Sequence, residues 1–156
     1  MSSGYHLAEL NIARMLAPLD DAVMADFTNN LDQINRLGDE SPGFVWRFQS
    51  EAGNATNFRP FPDDMIIVNL SVWESIDALF QYVYYSEHAD YFRRRKEWFH
   101  KLDLSGVVMW WIRQGHLPTL EEAKERYDHL AQHGPTPHAF TFKQRYSIED
   151  LLKTTP

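Results

Sequence analysis

The residue types best suited to chemistry sit in the run SEHADYFRRRKEWFHKL at 86–102, where His88 and Arg95 are seven positions apart. Drawn as one continuous helix at about 100° per residue, the two fall within roughly 20° of each other. Tyr91, Phe92, Trp98, Phe99 and Leu102 flank them, while Asp90, Arg93, Arg94, Lys96 and Glu97 lie on the opposite, solvated side. A cation on an apolar face needs a partner. Either the Arg95 stem packs while its head reaches water or a carboxylate such as Glu9, or both residues line a pocket between helix and sheet. In the second case Arg95 holds an anionic or carbonyl oxygen with its fixed fork of donors, and His88 gives or takes a proton near neutral pH.

Three strand residues, Asn11, Arg47 and Asn69, are candidates for orienting a substrate in such a pocket, or they satisfy one another across the sheet. The chain is also rich in rings: Tyr82, Trp98 and Trp110 are candidate pocket walls, and Tyr84, Tyr85 and Trp111 add to the supply. An aromatic wall suits a flat apolar ligand, although such rings equally serve as core. His129 and His133 have the i, i+4 spacing of a metal pair. They lie opposite Leu120, Ala123 and Tyr127 without an HExxH glutamate, so they read as cations favoured near a helix C-terminus and no metal site is expected. His116 reads as a turn residue. Gly-rich phosphate loops, a GxSxG elbow and metal-spaced carboxylate clusters are all missing from the sequence, which makes P-loop NTPases, Rossmann dehydrogenases and hydrolases of that class poor candidates.

Several elements must position these residues. Residues 6–14 alternate, with Ala8, Leu10 and Ile12 on one face and Glu9, Asn11 and Ala13 on the other. Val23, Phe27, Leu31 and Ile34 then repeat at helical spacing up to Ser41-Pro42-Gly43. Residues 44–49 and 65–73 alternate again, the second with Asn69 and Ser71 opposite Val68, Leu70 and Val72; between them a long loop turns near Gly53-Asn54 and runs through Arg59-Pro60-Phe61-Pro62. Ser75 caps a helix over Ile76, Leu79, Phe80 and Val83 that breaks near Ser86, and a fourth strand follows at 107–113. Thr119 and Glu122 form a capping box for a helix ending at Gly134-Pro135, and the tail offers a short extended AFTF and a turn at SIEDLL.

The order β-α-β-β-α-β with an extra C-terminal helix predicts an α+β, ferredoxin-like antiparallel sheet with helices on one face. The other face, carrying Trp110 or Trp111 among Asn11, Arg47, Asn69 and Ser71, is then bare and wants a partner. Pairing two such sheets into a dimeric α+β barrel removes that surface, so a two-fold homodimer is expected.

With 156 residues, 44% hydrophobic and 24% charged, the chain fits a single domain over 1–156, with a core at about 6–146 and a tail at 147–156. A net charge of −7 argues against nucleic acid as a partner. Zero cysteines exclude disulfides and thiolate chemistry. Neither a signal peptide nor an apolar run of about 20 residues is visible, so the expectation is a cytoplasmic protein without a membrane partner.

The runs LSVWESIDALFQYVYYSEHADYFRRRKEWF and VVMWWIRQGHLPTLEEAKERYDHLAQHGPTPHAFTF, with HLAELNIAR and PGFVWR, resemble the uncharacterised DUF 3291 family over about residues 6–146. That family is similar to the dimeric α+β barrel superfamily, which includes antibiotic-biosynthesis and haem-degrading monooxygenases, muconolactone isomerases and stress-response proteins. The haem-degrading relatives combine a first-strand Asn with a Trp and a His in the later helical region. Here Asn11 matches, but Tyr82 stands near the Trp position and Phe92 or Arg93 at the His position. His88 is closer to the Ser-Glu-His pattern of cofactor-free members. The resemblance implies a homodimer that binds an apolar aromatic or polyketide-like molecule and oxidises or rearranges it without a cofactor. On this reading His88 would move the proton, Arg95 would steady developing charge, and Asn11, Arg47, Asn69, Tyr82, Trp98 and Trp110 would bind the substrate. The alternatives are haem binding or degradation and a non-catalytic ligand-binding module.

Overall fold

A computed structural model describes residues 4–18, 20–48, 65–86, 88–100 and 106–154. The expected loop features at 53–62 and Leu102 lie outside them. Four strands, β1 (Tyr5–Arg14), β2 (Phe44–Arg47), β3 (Ile66–Trp73) and β4 (Val107–Arg113), form one sheet in the order β2-β3-β1-β4. Every neighbouring pair is antiparallel. With helices between β1 and β2 and between β3 and β4, this is the expected α+β, ferredoxin-like architecture.

Local chemistry explains most boundaries. After β1, an Asp21-capped 3₁₀ turn at Ala22–Met24 leads into α1 (Ala25–Asn29) and α2 (Leu31–Asp39), so the single helix expected from Val23 to Ile34 is divided at Asn30. Ser75 caps α3 (Ile76–Tyr85) by accepting from Ala78 N at 3.1 Å, and Thr119 caps α5 (Leu120–His133) by accepting from Glu122 N at 3.0 Å. Between them lies the short α4 (His88–Arg93), and α6 (Ile148–Thr154) ends the described chain. Gly43 enters β2 at φ +82°, and a Cβ there would overlap that of Ala78 on α3.

Register and alternation define two faces. Leu7, Glu9, Asn11 and Ala13 of β1 stand beside Trp73, Ser71, Asn69 and Ile67 of β3, with Trp111, Met109 and Val107 of β4 completing the rows. Helix α3 covers the Leu7–Trp73 end through Leu79 and Tyr82, and Met24, Phe27, Tyr91 and Trp98 cover the Met15–Ile67 end. A bulge between Phe44 and Trp46 brings Phe44 and Arg47 onto this same face, which strict alternation would not allow.

The polar strand residues therefore lie on the helix-bearing face, with Glu9 and Ser71 buried beneath it and Asn69 exposed at an uncovered row. The opposite face, with Ala8, Leu10, Val72, Val108 and Trp110, is covered by α5 through Ala123, Tyr127 and Leu130. Trp110 is 0% exposed and donates Nε1–H to Glu122 Oε2 at 2.8 Å. The extra helix thus removes the exposed aromatic surface on which the argument for pairing two sheets rested. Among the described residues, no helix is long and apolar enough to cross a membrane.

Candidate functional site

The helix-covered face carries one row of polar groups across the sheet: Arg47, Ser71 and Glu9, in register on β2, β3 and β1. Glu9 and Ser71 are each only 6% exposed, the two buried polar residues among the described ones. Ser71 Oγ–H donates to Glu9 Oε2 at 2.9 Å, and the buried Trp73 donates Nε1–H to Ser71 Oγ at 2.9 Å. A carboxylate so far from water is disfavoured, and burial lifts the Glu9 pKa from 4.5 to about 7, with the Ser71 bond opposing the rise. Glu9 therefore stands divided between acid and base near neutral pH.

One row further along, Asn11 and Asn69 face each other across β1 and β3. Asn11 is half-buried and Asn69 exposed, although Ile67 beyond it is buried again. Water thus reaches this face at the asparagine row, in the gap between the two apolar clusters, and the row lies about 7 Å along the strand from Glu9.

Arg47 and Tyr82 close the other side. Arg47 grips Asp39 of α2 with Nε to Oδ1 at 2.7 Å and Nη2 to Oδ2 at 3.3 Å, a two-pronged bond that fixes its direction. Tyr82 stacks on Trp73 at 5.2 Å between ring centroids and donates its hydroxyl to Ile34 O at 3.2 Å. Burial, followed by the charges of Glu9 and Asp39, pushes its phenol up, so Tyr82 stays protonated.

His88 opens α4. Ser86 Oγ accepts its backbone N–H at 3.1 Å, and its Nδ1–H donates to Val83 O at 3.1 Å, which places the lone pair on Nε2. Its ring lies 4.6 Å from that of Tyr82, and burial holds its pKa below 6.5 despite the Val83 bond.

Arg95 does not join it. The continuous helix over 86–102 is interrupted: α4 ends at Arg93, and Arg95–Glu97 form a 3₁₀ turn with Arg95 exposed. The break follows from what comes next. Trp98 is driven into the core, 5.6 Å from Phe27, while Leu16 N donates to Trp98 O at 2.8 Å and His100 N to Arg14 O at 2.8 Å, so the chain must turn extended beside the end of β1. It is Arg94 whose head bonds Asp26 at 2.7 Å and Glu97 at 2.8 Å.

Of the expected site residues, the structure gathers Asn11, Arg47, Asn69 and Tyr82 on one face, with His88 behind Tyr82. Trp98 belongs to the core at the far end of that face, and Trp110 lies on the opposite face under α5. Neither joins the Glu9 row. In the sequence Glu9 stands only as a member of the polar face of 6–14 and a partner for Arg95, and its apolar flanks Ala8 and Leu10 are matched by those of Asn11, Leu10 and Ile12.

Asn11 is four residues, about 13 Å along the strand, from the Leu7–Trp73 row on which the Tyr82–His88 stack rests. The site as built offers a proton-carrying acid, amide groups and a neutral imidazole.

None of the curated proteins matches the chain. Among solved structures it is similar to a protein of unknown function from Nitrosomonas europaea, with 11% identity over 74% of this chain and 95% of that one, at a TM-score of 0.47. It is also similar to a mutant of SnoaB, a cofactor-independent oxygenase from Streptomyces nogalater, with 14% identity over 75% of this chain and 100% of that one, at 0.46. A third, described as a candidate antibiotic biosynthesis monooxygenase from Chloroflexus aurantiacus, shows 15% identity over 73% and 97% of the two chains, at 0.45. Likenesses this low carry nothing over to the site. The family model is another matter: that of the domain of unknown function DUF3291 matches residues 6–155, nearly the whole chain, and the protein therefore belongs to the DUF3291 family.

Proposed function

We propose that the protein is a small-molecule enzyme that moves a proton on a flat, apolar carbonyl compound, with Glu9 as the general base and acid. The observation that carries this reading is the buried Glu9 carboxyl with its pKa at about 7, one row from where water reaches the sheet. The ionised carboxylate takes a proton from the carbon next to the carbonyl, and the C–H electron pair passes into an enolate. Asn11 and Asn69 supply amide N–H groups for the enolate oxygen. Where the substrate carries a carbon–carbon double bond β,γ to its carbonyl, the enolate extends through it, and return of the proton from Glu9 to the γ carbon moves the double bond into conjugation with nothing oxidised or reduced. Arg47, held by Asp39, and Tyr82, held by Ile34, form a fixed wall beside the acid. Nothing in this reading requires a second copy or haem.

The test is deuterium uptake from D2O into enolisable aromatic ketones, followed by mass spectrometry. Wild-type protein is expected to exchange a carbon-bound proton faster than buffer, with a rate that rises as pH passes through about 7. Glu9→Gln, which keeps the acceptor for Ser71, is expected to lose this acceleration by at least about a hundredfold. Equal exchange by wild type and Glu9→Gln, with the fold intact by circular dichroism, would sink the assignment.

A further inference from the structure

On the other side of the molecule, α5 and the turn after it bring Glu125, His129 and His138 together. Each offers one ligand atom, and the three atoms lie within 4.8 Å of one another. Glu125 and His129 share a helix face at i, i+4 spacing. His138 arrives through a reversal at Gly134, φ +71°, where Thr136 and Ala139 exchange backbone hydrogen bonds of 2.9 and 3.1 Å. Thr136 Oγ1 accepts from His138 N at 3.2 Å, and the His129 and His138 rings lie 4.5 Å apart.

We propose that these three side chains bind a late first-row divalent cation of the Zn2+ kind. Two imidazoles and a carboxylate are the borderline donors such ions favour, and three protein ligands leave a fourth position for water. Two of the three ligands, Glu125 and His129, also line an open surface groove of about 470 Å³ together with Lys124, Asp128 and Gln132. With metal–ligand bonds of about 2.1 Å and tetrahedral angles, ligand atoms stand about 3.4 Å apart. From separations of up to 4.8 Å, the cluster needs to close by at most about 1.4 Å to reach this spacing. The Glu125 and His138 side chains, 55% and 38% exposed, have the room to do so. Mg2+ and Ca2+ ask for more oxygens than the cluster holds.

Arg126 sets what loading requires. Its Nη1 donates to His138 O at 2.8 Å and lies 3.1 Å from Nδ1, which leaves the imidazole proton on Nε2, where Glu125 accepts it at 2.8 Å. For Nε2 to face a cation, the proton must sit on Nδ1, and Arg126 then keeps its bond to the His138 carbonyl and its 3.5 Å ion pair with Glu125 Oε1. Arg126 thus weakens the site without removing a ligand, and Arg126→Gln, whose amide oxygen can accept from Nδ1–H, binds the cation more tightly. Because Phe140 exchanges two 2.9 Å backbone bonds with Met109 of β4, occupancy also ties α5 to the segment anchored on the sheet.

The test titrates chelator-stripped full-length protein with ZnCl2 by calorimetry and with CoCl2 by visible absorption. One equivalent of Zn2+ is expected to bind and raise the melting midpoint, and Co2+ is expected to give the intense bands of a tetrahedral site. His129→Ala and His138→Ala should each weaken binding at least tenfold, Glu125→Gln should weaken it, and His133→Ala and His116→Ala should leave it unchanged. Failure of wild-type protein to saturate, equal response to MgCl2, or unchanged affinity in both His129→Ala and His138→Ala overturns the site. Arg126→Gln binding no more tightly than wild type overturns the assignment of the His138 proton.

Discussion

Replacing Glu9 by Gln should make the protein more stable above neutral pH and leave it little changed in acid. Below pH 4.5 the Glu9 carboxyl is protonated whether the chain is folded or not, so its ionisation contributes nothing. Between 4.5 and about 7 it ionises in the unfolded chain but stays neutral in the fold, and stability falls as pH rises through that window. Moving a carboxyl from 4.5 to about 7 corresponds to roughly 3 kcal/mol at about 1.4 kcal/mol per pH unit, all of it lost above pH 7. Gln has no charge to bury, and its amide oxygen can still accept from Ser71. Urea unfolding of both proteins at pH 5, 6, 7 and 8, followed by tryptophan fluorescence, gives the difference directly, and shared contributions such as His88 cancel. The gain in Glu9→Gln should grow from just under about 1 kcal/mol at pH 5 toward about 3 kcal/mol at pH 8. Parallel stability curves across that range would show that Glu9 ionises as an ordinary surface acid, and the reasoning would fail.

Ser71→Ala removes the bond that opposes the rise at Glu9, so the Glu9 carboxyl should titrate higher still, measurable by ¹³C NMR of the side-chain carboxyl. It also strands the Trp73 Nε1–H, at an expected loss of about 1–3 kcal/mol even at pH 5. Gly43→Ala meets both a positive φ and the Ala78 side chain, whereas Gly115→Ala, at φ +91°, meets nothing within 4 Å. Thermal unfolding should show a loss of about 2–4 kcal/mol for the first and about 1 kcal/mol for the second, and equal losses would show that contact with α3 contributes nothing.

The parts of the fold legible in the sequence are those written in short-range chemistry. Period-two alternation sorted Glu9, Asn11 and Ala13 from Ala8, Leu10 and Ile12, and the hydroxyls of Ser75 and Thr119 marked two helix starts, because a capping side chain acts three residues away. What could not be read depends on distant partners. The helix through Arg95 looked continuous because its angular pattern is sound, yet Trp98 and Phe99 are claimed by the end of β1, and that contact breaks the helix at Arg93. The bulge that turns Arg47 toward Glu9 leaves no mark in the alternation of 44–49. Alternation also says which side a residue faces but not which rows are covered, so nothing in the sequence distinguished the buried Glu9 from the half-buried Asn11 two positions on.

The hydrogen bonds around Glu9 give a physical reason to look for function there. Ser71 needs only an acceptor, and Trp73 is satisfied by Ser71; a Gln at position 9 would meet the same needs without a charge that resists burial. Ionisation of the buried carboxyl therefore costs roughly 3 kcal/mol at pH 8, a cost an uncharged amide does not carry, and a large share of the roughly 5–15 kcal/mol that holds a typical domain together. What the acid has and the amide lacks is a proton that can leave and return near pH 7. The same face places amide groups one row away, where solvent arrives, and fixes Arg47 and Tyr82 through partners on α2. A row built only for stability would have no use for an acid at its centre, whereas a row that handles protons needs one in that place.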